Sequence, residues 1–119
     1  MTPDDVTRLI RHEVDAFTYE VPTQDGLLGV PWSQERMAQE VSALREALTE
    51  PNLVPVEIAD NPRARETRML WVVTRPDSNG YVLVFDGVGL RFGLAVTGHS
   101  GPPQTVGVWR DLVTTYAAR

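Results

Sequence analysis

Glu13 is the residue whose placement says most about possible chemistry in this chain. On a helix advancing about 100° per residue, it falls between Leu9 and Phe17, inside the apolar stripe of an N-terminal segment. A carboxylate there must be paired or protonated, because an isolated buried charge is very costly. A raised pKa is also what a general acid or base requires. The competing readings are a structural pair with Arg91 or Arg75, or a stripe shallow enough for the carboxylate to reach water. His99 is the second candidate for proton transfer, in a loop leaving a strand, where functional groups concentrate. His12 falls on the polar side of the same helix, near Arg8 and Asp15. Arg11-His12-Glu13 lacks the second histidine, four positions on, that a zinc-protease helix needs.

Several other chemistries are excluded by residue type or spacing. Cysteine is absent, which removes disulfides, thiolate metal sites and thiol nucleophiles. Lysine is absent too, since all eleven basic residues are arginine; Schiff-base chemistry and a lysine-containing phosphate loop go with it. Gly98-His99-Ser100-Gly101 is not the Gly-x-Ser-x-Gly elbow, and Pro102-Pro103 follow where that elbow needs a helix. Gly87, Gly89 and Gly93 have the wrong spacing for a dinucleotide loop and lie within a hairpin pattern. Acids and histidines do not recur at metal-ligand spacing, so neither a metal nor a cofactor is expected. Arg63, Arg65 and Arg68 form the one candidate anion grip, because guanidinium forks match phosphate and carboxylate. The alternative is a solvated connector paired to its own acids.

Charge is divided unevenly. Residues 1–60 carry twelve acids against four arginines, a net of −8, and residues 61–119 carry seven arginines against four acids, a net of +3; together they give the net −5. An acidic half repels nucleic acid and attracts a basic partner. It could equally be neutralised by the arginines of the other half within one fold. Glu35, Glu46 and Glu50 stand opposite the apolar stripe of a second helical segment and are the acidic candidates for partner contact. Leu28 and Trp32, within Leu27-Leu28-Gly29-Val30-Pro31-Trp32, are the apolar ones. That segment could instead seal the edge of the core.

The elements that would position these groups are legible from spacing. Thr2-Pro3-Asp4-Asp5 is a helix start, and Val6, Leu9, Ile10, Val14 and Phe17 carry the helix to about residue 17. Pro22 to Gly29 reads as a loop. Ser33 caps a second helix whose stripe is Met37, Val41, Leu44 and Leu48, with Trp32 set to staple onto Met37 and Pro51-Asn52 ending it. Leu53 to Ala59 alternates, and Pro55 marks it as an edge strand. Met69 to Val73, Tyr81 to Phe85 and Val88 to Thr97 form a meander, turned at Pro76–Gly80 and Asp86-Gly87. Trp109, Leu112, Val113 and Tyr116 give a C-terminal helical stripe, with Thr105 to Trp109 as a possible fifth strand. The expectation is one α+β domain over residues 1–119. A four- to five-stranded antiparallel meander would pack against two N-terminal helices and one C-terminal helix.

The meander strands are apolar on both faces and so need cover on both. Helices, a partner or a ligand would supply it, and small Gly93 and Ala95 would admit a close neighbour. No run is long enough for a membrane span, and the acidic N-terminus is unlike a secretion signal, so the expected location is the cytoplasm. The leading functional expectation is a small non-catalytic protein-binding module with a basic partner, in the manner of an immunity-like inhibitor or a small acidic chaperone. Two alternatives stand beside it. One is a small-molecule binder or enzyme with Glu13 and an arginine in a pocket between helix and sheet and His99 at its rim. The other is a structural homodimer through the sheet face.

Overall fold

The structure, a computed structural model, describes residues 1–20, 32–60, 63, 65–98 and 100–119. Helix α1 spans Pro3–Ala16 and begins on a reciprocal capping box. Asp5 N–H donates to the Thr2 hydroxyl at 3.2 Å, and Thr2 N–H donates to the Asp5 carboxylate at 2.9 Å. Helix α2 spans Gln34–Ala47 behind the Ser33 cap, which accepts from Arg36 N–H at 3.1 Å. It stops four residues before the expected proline. Arg75 explains this: its N–H donates to the Ala47 carbonyl at 2.9 Å and its guanidinium to the Glu46 carbonyl. The orphan carbonyls of the last turn are thus satisfied from outside, and the chain passes directly into strand β1, Leu48–Ile58. Glu50 therefore lies on β1, not on α2.

Strands β2 (Glu66–Thr74), β3 (Tyr81–Asp86), β4 (Arg91–Val96) and β5 (Gln104–Arg110) follow, then helix α3 (Leu112–Ala117), capped by Asp111. Residues 105–109 are thus strand, and the helical stripe begins only at Leu112. Neighbouring strands pair antiparallel in chain order, which makes the fold α+β with a five-stranded meander, two N-terminal helices and a short C-terminal one. Val88 and Leu90 were expected in the fourth strand. They lie instead in the Gly87–Leu90 turn, with Val88 97% exposed and Leu90 at φ +53°.

Cover for the sheet comes from two sources. Outward-facing Trp71, Val73, Leu83, Phe85, Phe92 and Leu94 pack under all three helices, with Val6, Ile10, Met37, Leu44, Leu112 and Tyr116 among their neighbours. The other face is covered by the sheet itself. The meander curls until β1 meets β5 in a parallel bridge, Glu57↔Gln104, closing a barrel around Val56, Ile58, Leu70, Val82, Val84 and Ala95. Register shifts at Leu48/Asn52 and Gly93/Ala95 supply local bends. The space beside Gly93 is taken by Trp109 of β5, not by a helix or second subunit: a Cβ on Gly93 would sit 2.7 Å from that indole. The homodimer expectation rested on a broad uncovered face, and the closed barrel removes that premise. Only Leu53 and Met69, outward on the β1–β2 pair, are exposed large apolar residues within those two strands. No helix among the described residues is long and apolar enough to cross a membrane.

Candidate functional site

Glu13 is exposed, so of the readings open for it the shallow stripe that lets the carboxylate reach water is the one found. The buried row of α1 is Val6, Ile10 and Val14. Glu13 lies about 60° from the centre of that row on a regular helix, with half-buried Leu9 and Phe17 along its own edge. It lines a shallow cleft of about 400 Å³ with Arg91, Trp109, Arg110 and Asp111. Neither expected partner is paired with it. Arg91 bridges Asp86 and stacks 4.2 Å from the Trp109 ring, and Arg75 is held by the end of α2. His99 and Leu28 lie outside the described residues. Trp32 is half-buried against the helical core, its carbonyl accepting from Tyr19 Oη at 2.8 Å and its ring 4.2 Å from the Arg36 guanidinium. Its own packing places it at the edge of the helical core.

The arginine group is largely engaged by the chain's own acids. Arg65 bridges Glu57 at 3.0 Å, and Arg68 bridges Glu66 at 2.9 Å and Asp86 at 3.6 Å, while Arg63 is exposed. These contacts belong to a network closing one end of the barrel, which sequence spacing did not reveal. Asp86 is its centre, with a side chain only 6% exposed. Burial alone would raise its pKa. The N–H groups of Gly89 and Val88 and the guanidiniums of Arg91 and Arg68 outweigh that, and hold it below the ordinary carboxylate value. From Arg91 the network passes through the Trp109 ring to Asp60, which accepts from Trp109 Nε1 at 2.6 Å and from the Thr105 hydroxyl at 2.8 Å. No described buried side-chain polar atom is left without a hydrogen bond. An interior this fully satisfied fixes geometry; Asp86, with both oxygens engaged, is poorly placed to move protons.

The acidic surface is different. Glu35, Glu46 and Glu50 are all exposed, and with Asp4 and Glu13 they hold no ion pair among the described residues. Setting Arg63 aside, the bridges that join the two halves of the chain among the described residues are Arg65–Glu57 and Arg119–Glu40. The remaining bridges lie within one half, as in Arg8–Asp5 and Arg45–Asp15. A cleft of about 570 Å³ opens between α1 and the junction of α2 with β1, lined by Asp4, Glu50, Arg11, Arg45 and Ile10 among others. This is a second cleft between helix and sheet; Glu13 lies not here but in the smaller one with Arg91. The acids of the larger cleft are Asp4 and Glu50. Compared with known family models, curated proteins and solved structures, the chain matches none.

Proposed function

We propose that this chain is a non-catalytic binding module for a basic segment of another protein. One observation carries the reading: Arg63 aside, the described acids of the first sixty residues are mostly not ion-paired with the described arginines of the rest. Had the imbalance served folding alone, cross-half ion pairs would consume it. Instead Glu35, Glu46 and Glu50 face solvent, and Asp4 joins Glu50 at a concave cleft. A guanidinium or ammonium entering there meets two carboxylates. Arg11 and Arg45 line the same cleft, and Arg45 is already held by Asp15 at 2.8 Å. Exposed charges of this kind chiefly set association rate and partner choice.

The test is parallel affinity capture on wild-type chain and the Glu46→Arg/Glu50→Arg variant, with captured proteins identified by mass spectrometry. Both are run at ~0.1 M and ~1 M salt, where the screening length falls from about 10 Å to about 3 Å. Basic proteins held by the wild type, lost at high salt and lost by the variant, are the expected result. An identical set on both baits would sink the acidic-surface reading.

A further inference from the structure

The inner core of the barrel is sealed at one end only. At the Asp86 end the charged network covers it, whereas at the other end Val54 of β1 and Val72 of β2, which point inward, remain half-buried. The remaining aliphatic residues of that core, Val56, Ile58, Leu70, Val82, Val84 and Ala95, are buried. The opening arises where β1 and β5 diverge, because their pairing begins at Glu57↔Gln104 and the chain before Gln104 swings across the gap as Pro102-Pro103. A concavity of about 480 Å³ results, walled by Val54, Val72, Val82, Pro76, Pro102 and Pro103.

We propose that this mouth binds a small, uncharged, apolar molecule. Three observations fix that chemistry. First, among the described residues no charged side chain lines the concavity; its polar residues there are Asn52 and Thr97, and the Thr97 hydroxyl already donates to the Gly80 carbonyl at 3.0 Å. A carboxylate or ammonium entering would shed hydration without finding a counter-charge. Secondly, an extended peptide is poorly served by the open edge of β1. Glu57 N–H donates to the Pro103 carbonyl at 2.8 Å, so N–H groups of its parity face the seam. Of the two preceding positions of that parity, Pro55 has no N–H and Leu53 alone keeps a donor. Thirdly, the volume falls in the range of small-ligand pockets, about 300–1,000 Å³, which recur at the mouths of β-barrels. An apolar occupant there continues the inner core past Val54 and Val72. None of Glu35, Glu46 or Glu50 lines the site, so it stands independently of the acidic surface.

The experiment is a backbone-amide NMR titration with 1-octanol, repeated with octanoate and octylammonium. Saturable shifts are expected at Asn52, Val54, Val72, Val82 and Thr97 with the alcohol, and at least about tenfold weaker binding of both ions. Val54→Phe fills the mouth and should weaken octanol binding about tenfold. If that variant does not fold, Pro102→Asp, which places a charge at the exposed rim, supplies the same readout. The proposal is overturned by absence of saturation up to the solubility of octanol, or by shifts centred on the helices. Octanoate binding equal to octanol, or a folded Val54→Phe or Pro102→Asp variant that binds octanol undiminished, would overturn it too.

Discussion

The indole N–H of Trp109 donates to the carboxylate of Asp60 at 2.6 Å, joining β5 to the residues just beyond β1. Asp60 also accepts from the Thr105 hydroxyl at 2.8 Å, and that hydroxyl accepts from Ala59 N–H at 3.0 Å. The ladder between β1 and β5 shows one bridge, so these side-chain contacts carry much of the closure. In this barrel the seam is held by side chains more than by strand pairing.

Asp60→Ala should therefore loosen the seam specifically. Hydrogen bonds to a charged group contribute roughly 1.5–3 kcal/mol, and the exposure of Asp60 places the expected loss at the lower end. Chemical denaturation measures that loss. Hydrogen exchange locates it, because Glu57 N–H, bonded to Pro103 across the seam, should lose protection before the amides of β3. Uniform loss of protection would contradict a seam-specific role.

Gly93→Ala tests how tightly β4 and β5 are fitted. The new methyl would sit 2.7 Å from Cε3 and Cζ3 of Trp109, so the indole must move, and with it the contacts to Arg91 and Asp60. Overpacking of this kind costs typically 1–3 kcal/mol. A denaturation midpoint unchanged from wild type would show that the indole can yield. The double variant Gly93→Ala/Trp109→Phe should recover part of the loss if steric conflict is its cause.

Leu90 occupies the left-handed region at φ +53° in the turn between β3 and β4, and the residue is 64% exposed. The conformation is unfavourable for a branched aliphatic residue, whereas asparagine adopts it readily. Because little apolar area is buried, relief of strain should exceed the lost packing, and Leu90→Asn should gain up to about 1 kcal/mol. A lower melting temperature for that variant would mean that the Leu90 side chain packs more strongly than its exposure suggests.

The helix starts were legible because a cap is local: Thr2-Pro3-Asp4-Asp5 and Ser33 contain their own partners within three residues. The strands were legible because alternation and turn residues are local as well. The end of α2 was not, since the atoms that terminate it belong to Arg75, twenty-eight positions beyond Ala47. Barrel closure was not legible either. An apolar run shows that both faces of a strand are covered, but curvature decides whether the cover is a partner or the sheet itself. Gly93 was the available hint, because a missing Cβ marks a close approach; its neighbour could have been a helix, a subunit or the Trp109 found there. Spacing left the burial of Glu13 open for a related reason. Helical spacing ranks positions around α1 but does not say where the buried arc is centred. Val6, Ile10 and Val14 set that centre away from it.

The acid limb of stability should report on Asp86. Its folded-state pKa is held below the ordinary 3.8 by two backbone N–H groups and two arginines acting against burial. A depressed carboxylate stabilises the fold at pH values above its unfolded pKa, and that contribution disappears as pH falls through the folded value. Asp86→Asn keeps an acceptor for Val88 and Gly89 but removes the charge between Arg68 and Arg91. At pH 7 the variant should be less stable, by about 1–3 kcal/mol given that both arginines are half in solvent. The difference should shrink below pH ~4 and vanish once the wild-type carboxyl is protonated. The Asp5 carboxyl of the α1 cap is also held low, but it is common to both proteins, so their difference isolates Asp86. Urea midpoints measured from pH 7 to pH 2 give the comparison. A gap between the two proteins that stays constant across that range would show that the charge of Asp86 does not stabilise the fold.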